Sequence, residues 1–208
     1  MTPNTSHHFQ PGEHILTPQG RPVPGFSLDG SGIYDPSRTH AAPWRLKEWD
    51  FYQITDHRLC LQLTIGHVSY AGNCNIMFFD HAAQKHLYTQ DIIIPLPFRS
   101  LGMPTCAHAD SVLTIDRSGA LLRFENKADQ RRLTAKTDRL SAEITLKPTI
   151  KDSITICTPF DKPNEFYFNE KINLLETEIS LTFDGQEYRF DPATTFGLMD
   201  WGRGVWPF

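Results

Sequence analysis

The stretch EISLTFDGQEYRF constrains the chain more than any other. Ile179, Leu181 and Phe183 alternate with Ser180 and Thr182 up to Asp184-Gly185, and Tyr188 and Phe190 return with the same period. Residues spaced by two share one face of an extended strand, so the stretch reads as a hairpin. Asp-Gly suits its turn, because a type I′ turn needs positive φ at both central positions. The period recurs in RLCLQLTIG, through Leu59, Leu61, Leu63 and Ile65, and in LSAEITLKP, through Leu140, Ala142, Ile144 and Leu146. SVLTIDRSGALLRFEN reads as a second hairpin turning over Asp116 to Gly119. NCNIMFFD and QDIIIPL are apolar runs too short for helices and rich in aromatic or β-branched residues. Roughly ten strands and no amphipathic helix imply an all-β, mostly antiparallel barrel or sandwich.

Residues 1–43 are rich in Pro, Gly, Ser and His and lack this period, so they read as an irregular amino-terminal arm. A β-barrel-like domain is expected over 44–190. Residues 191–208 end in MDWGRGVWPF, whose tryptophans need cover, and read as the start of a second β-rich half that lies beyond this chain. Self-association through that aromatic end is the other expectation.

With 208 residues, 39% of them hydrophobic, the chain can bury a sizeable core. A formal charge of −4 argues against a nucleic-acid partner, which would need a basic face. Arg131 and Arg132 read as a solvated strand end. No apolar run is long enough for a membrane-spanning helix, and the first residues lack the basic and apolar regions of a secretory signal. Cys60, Cys74, Cys106 and Cys157 form no C-x-x-C pair and read as reduced thiols, which sets a cytoplasmic expectation.

No phosphate-binding glycine loop or G-x-S-x-G elbow occurs, and neither a cofactor nor a metal is expected. Cys106, His108 and Asp110 alternate in CAHAD without a distant fourth ligand. In APWRLKEWDFYQI an extended chain places Trp44, Leu46, Glu48, Asp50 and Tyr52 on one face and Arg45, Lys47, Trp49 and Phe51 on the other. Charge among aromatics fits a strand lining a polar-containing cavity, or an edge strand with cross-strand ion pairs. In EFYFNEKINLL, Tyr167, Asn169, Lys171 and Asn173 oppose Phe166, Phe168 and Ile172. That polar row either orients a ligand inside a barrel or faces solvent while the phenylalanines fill the core. Tyr70 and His67 lie in the Gly- and Ser-containing link GHVSYAGNCN. Asp200 and Arg203, three apart in an apolar setting, are expected to pair with each other.

The blocks PWRLKEWDFYQI, LTIGHVSYAG, TPF at Thr158 to Phe160, FYFNEKIN and YRFDPATTFGLMDWGRGVWPF, in this order, resemble the family known as domain of unknown function 2804, from about Pro18 to Phe208. The resemblance implies that this chain is the amino-terminal half of a longer β-rich protein. It also implies an antiparallel lipocalin-like (calycin-type) barrel, similar to the carotenoid hydratase and AttH group. Members of the family it resembles usually carry an acidic residue where His67 stands, so the resemblance assigns position 67 no shared role. Three functions follow as expectations. The first is a binder of an apolar or amphiphilic small molecule through Trp44, Glu48, Asp50, Tyr52, Tyr70, Tyr167, Asn169, Lys171, Asn173 and Arg203. The second is a lyase adding water to an isoprenoid or lipid alkene, with Asp200 as the acid beside Trp201. The third is a purely structural β domain.

Overall fold

The computed structural model describes residues 7–95, 100–127 and 130–207, with the backbone alone at Pro43. Residues 1–6 of the expected arm, Leu96 of the QDIIIPL run and Phe208 lie outside the described residues. Fourteen strands join in one sheet. They are β1 (His7–His8), β2 (Gly25–Ser27), β3 (Leu46–Thr55), β4 (Leu59–His67), β5 (Ala71–Asp80), β6 (Lys85–Pro95) and β7 (Ser111–Arg117). The rest are β8 (Ala120–Lys127), β9 (Gln130–Lys136), β10 (Leu140–Pro148), β11 (Ile154–Pro159), β12 (Phe166–Phe183), β13 (Gln186–Tyr188) and β14 (Phe196–Val205). Two 3-10 turns and no α-helix occur among the described residues.

The alternation seen in the sequence is the alternation of the two sheet faces. β3 is buried at every second residue from Leu46 to Ile54, and β10 likewise from Leu140 to Leu146. Both hairpin turns take two residues with positive φ: 49° and 75° at Asp184 and Gly185, and 55° and 74° at Ser118 and Gly119. The second turn is therefore tighter than the four-residue span expected.

The main path runs β6-β5-β4-β3-β14-β12-β10-β9-β8-β7 and curls into a nearly closed, antiparallel, lipocalin-like barrel. Inner faces meet across the interior: Tyr52 of β3 packs edge-on against Phe124 of β8 at 5.0 Å, and Phe78 of β5 against Phe183 of β12 at 5.9 Å. β12, 18 residues long, holds the structure together. Its first half lies between β14 and β11, and its second half pairs with β10 and β13. A register shift between Ile172 and Leu175, with Leu174 at φ 55°, marks the changeover.

The arm is no appendage. Phe9, Ile15, Leu16 and Tyr34 are buried in the core, and β2 pairs with β11. Residues 191–208, expected to open a second half, supply β14, which is hydrogen-bonded on one side to β3 and on the other to β12. Residues 7–43, 44–190 and 191–207 thus share one sheet.

Candidate functional site

Three adjacent strands, β3, β14 and β12, carry most of the residues singled out in the sequence. They do not form one site, because neighbouring residues of a strand point to opposite faces.

Inside the barrel, at the end where β3 begins and β4 ends, stand Glu48, Asp50, Tyr52, His67, Trp201 and Arg203, all buried. Arg203 is wholly buried and organises the set. Its Nη2 donates to Asp50 Oδ1 at 2.9 Å, its Nη1 donates to the carbonyls of Trp49 and Gly202, and its Nε lies 3.9 Å from Glu48 Oε1. The guanidinium also stacks 4.1 Å from the Trp201 ring. Asp200 is not its partner, contrary to the expected pair, because an odd spacing puts the two side chains on opposite faces.

Glu48 takes bonds from the Tyr34 hydroxyl at 3.2 Å and from His67 Nε2 at 2.9 Å. The Ser69 amide donates to His67 Nδ1, so that nitrogen accepts and Nε2 carries the proton given to Glu48. Burial acts to raise the Glu48 carboxyl, but the His67 hydrogen bond and the Arg203 charge outweigh it and hold Glu48 below its ordinary range. At Asp50 burial prevails over Arg203, and the carboxyl is pushed up.

Arg131 joins this interior. It was expected at a solvated strand end, yet it is 3% exposed and lies against the Tyr52 hydroxyl. The register explains this, since Arg131 shares its face with the buried Leu133 and Ala135. The segment 104–109 lies against these side chains, with Ala107 buried. Arg203 donates to the Pro104 carbonyl at 2.7 Å, Arg131 Nη2 to the Ala107 carbonyl at 3.1 Å, and Asn126 Nδ2 to the Ala107 and Ala109 carbonyls at 3.2 and 2.7 Å. His108, of the CAHAD run, donates from Nε2 to Glu170 at 2.6 Å, and Ser153 holds the same carboxylate oxygen. Beneath the segment, a cavity of about 10 Å³ is lined by Asp50, Tyr52, Leu113, Phe124, Asn126 and Met199 among others. That is about one water's worth of space. Asn126 Oδ1 and Arg131 Nε, both buried, make no hydrogen bond.

The outer face holds a second cluster. Lys171 and Asn169 both donate to Asp200, and Trp49 Nε1 donates to Asp200 Oδ1 at 3.3 Å. Trp49 stacks on Tyr167 at 5.9 Å and meets Trp206 edge-on at 5.8 Å. The Trp49 ring lies over Gly202, its partner on β14, which has no side chain to displace it. A Cβ on Gly202 would stand 2.1 Å from Trp49 Cζ2. The glycines of MDWGRGVWPF are therefore the floor under two tryptophans. Phe166 and Phe168 fill the core, and Tyr167, Asn169 and Lys171 face outward. Asp200 and Trp201, expected side by side, face opposite ways.

The remaining residues join neither cluster. Trp44 sits in the 3-10 turn Pro43–Arg45, ahead of β3, and is 54% exposed, so it does not share the strand face expected. Tyr70 lies exposed between β4 and β5, and Asn173 at the irregularity of β12. Cys60, Cys74, Cys106 and Cys157 are free thiols. Among the described residues no group of three His, Cys, Asp or Glu side chains is placed to hold a metal, and no helix is long and apolar enough to cross a membrane.

The fold and this interior define an antiparallel, lipocalin-like barrel with a buried polar set at one end. The chain belongs to the family described as domain of unknown function (DUF2804), whose profile matches residues 6–208. Among solved structures it is similar to a protein designated AttH from Nitrosomonas europaea, with 12% identity and a TM-score of 0.53, covering 97% of this chain and 59% of that one. It is also similar to kievitone hydratase from Nectria haematococca, with 13% identity and a TM-score of 0.45, covering 92% of this chain and 57% of that one. The chain thus spans less than two thirds of the length of either. No curated protein matches it.

Proposed function

We propose that this chain binds an apolar or amphiphilic small molecule at the barrel end where residues 104–109 lie. One observation carries the reading: three buried donor side chains, Arg203, Arg131 and Asn126, each give a hydrogen bond to a main-chain carbonyl of a single loop segment. A ligand with one polar end would take over those bonds as the segment lifts, and Tyr52, Leu113, Phe124 and Met199 would receive its apolar part. The outer Asp200 cluster takes no part. The test is native mass spectrometry of gently purified protein, followed by titration with an environment-sensitive apolar dye. Saturable uptake that Asn126→Leu weakens and Asp200→Asn leaves unchanged is expected. Uptake lost on Asp200→Asn and untouched by Asn126→Leu refutes the assignment.

A second reading rests on Asp50, an acid raised by burial beside Tyr52 and Phe124. In an alkene-hydrating lyase, Asp50 would give its proton to one alkene carbon. Water would add to the other carbon and return a proton to Asp50. Asp50 replaces Asp200 as the acid because it faces the interior. Incubation with isoprenoid alkenes should then add the mass of one water to the product. Asp50→Asn should stop it, and turnover that survives Asp50→Asn refutes this reading.

A further inference from the structure

We infer that the ligand of this barrel end is a carboxylic acid carried on an apolar body, with Arg131 as its anchor. The inference rests on the binding reading above and adds the ligand's class and the residue that selects it.

A buried guanidinium is strongly unfavourable unless paired and fully hydrogen-bonded. Arg203 meets that condition, with Asp50 and Glu48 both within ion-pair distance. Arg131 does not: no carboxylate of the described residues forms an ion pair with it. Its hydrogen-bond partners are neutral, namely the Ala107 carbonyl and the Tyr52 hydroxyl, and its Nε has none. Arg131 thus has no hydrogen-bonded counter-ion of its own: Asp50, whose charge reaches it, is bonded to Arg203.

Geometry points to the group that completes it. The Ala107 carbonyl oxygen sits between Arg131 Nη2 at 3.1 Å and Asn126 Nδ2 at 3.2 Å. That position marks where a ligand oxygen would lie once residues 104–109 lift. A carboxylate placed there has a second oxygen for Arg131 Nε, which gives the side-on, two-bond pairing that guanidinium and carboxylate favour. An alcohol or ketone supplies one oxygen and no charge. A phosphate carries more charge than one guanidinium offsets, and Arg203 is already committed to Asp50 and Glu48. An amine is excluded by repulsion. The adjoining walls, Leu113, Phe124 and Met199, are apolar and suit a hydrocarbon or aromatic body.

Calorimetric titration of the full chain at neutral pH with octanoate and with octanol, which share one apolar body, tests the class. Octanoate is expected to bind about tenfold tighter or better, since a charge-assisted pair exceeds a neutral hydrogen bond by that order. Arg131→Met should bring the two ligands to similar affinity, Arg131→Lys should keep part of the preference, and Lys136→Ala on the outer face should change nothing. The wild-type comparison needs no variant and stands even where Arg131→Met does not fold. Octanol binding as tightly as octanoate overturns the inference and leaves the binding reading intact. If neither ligand binds at millimolar concentration, both fall.

Discussion

Gly202→Ala is the sharpest test of how the outer face is built. A Cβ at position 202 would lie 2.1 Å from Trp49 Cζ2, 2.2 Å from Cε2 and 2.6 Å from Cη2. Carbon atoms rest about 3.5–4.0 Å apart, so the indole must move by well over an ångström. Its ring plane is fixed by the stack on Tyr167, the edge contact with Trp206 and the bond to Asp200. Each aromatic pair contributes about 0.5–1.5 kcal/mol beyond burial, and overpacking a tight site costs about 1–3 kcal/mol. Loss of both pairs with the overpacking strain gives an expected destabilisation of about 3 kcal/mol, read from urea unfolding followed by far-ultraviolet circular dichroism. The decisive measurement is the same substitution in a Trp49→Ala background. There the added methyl meets no ring, and its cost should fall below about 1 kcal/mol, a coupling well above that of independent sites. Equal losses in the two backgrounds would refute the reasoning.

Three further outcomes are expected. Arg203→Met leaves Asp50 buried without its partner and should cost about 3–5 kcal/mol; a loss below about 1 kcal/mol in the same unfolding assay would mean that the pair is not structural. At Asp56 burial acts to raise the carboxyl, but amide donors from Leu59, Asp191 and Arg58 outweigh it and hold the carboxyl below its ordinary range. The unfolded chain then takes up the proton first as pH falls. The stability is therefore fully present above the ordinary aspartate range and lost as pH drops through the depressed folded value. Asp56→Asn should flatten that acid limb of Tm against pH, and parallel limbs would contradict the assignment. Burial pushes the thiols of Cys60 and Cys74 up to about 11 and that of Cys157 to about 12, whereas Cys106 is exposed. A thiol reagent should label the native protein at Cys106 alone and all four cysteines after denaturation, and native labelling that persists in Cys106→Ser would refute this.

The strands were legible because burial on one face writes a period of two into the sequence, as Leu59 to Ile65 and Leu140 to Leu146 show. The site was legible only in part. Glu48, Asp50, Tyr52 and Arg203 stood out as charge or hydroxyl among apolar neighbours, and all of them line the interior. Arg131 and Asn126 carry the same signal, each in register with buried residues of its strand. Tyr167, Asn169, Lys171 and Asp200 were harder to place. Which face of β12 and β14 points inward depends on Phe166, Phe168 and Trp201 being larger apolar groups than those opposite, and Trp49 and Trp206 blur that contrast. The position of β14 was hidden altogether. Its neighbours β3 and β12 lie far from each other in the chain, and no local pattern records a strand inserted between them.

That insertion has a consequence for how the chain comes to fold. β3 and β12 cannot be joined until residues 196–205 have been made, because β14 alone supplies the hydrogen bonds between them. Until then the edges of β3 and β12 that face β14, beside Trp49 and Phe51 and beside Phe166 and Tyr167, have no partner. Pairings this distant along the chain form slowly, and open apolar edges invite association with other chains in the interval. Seating the strand that carries Gly202 and Gly204 then closes both edges in one step.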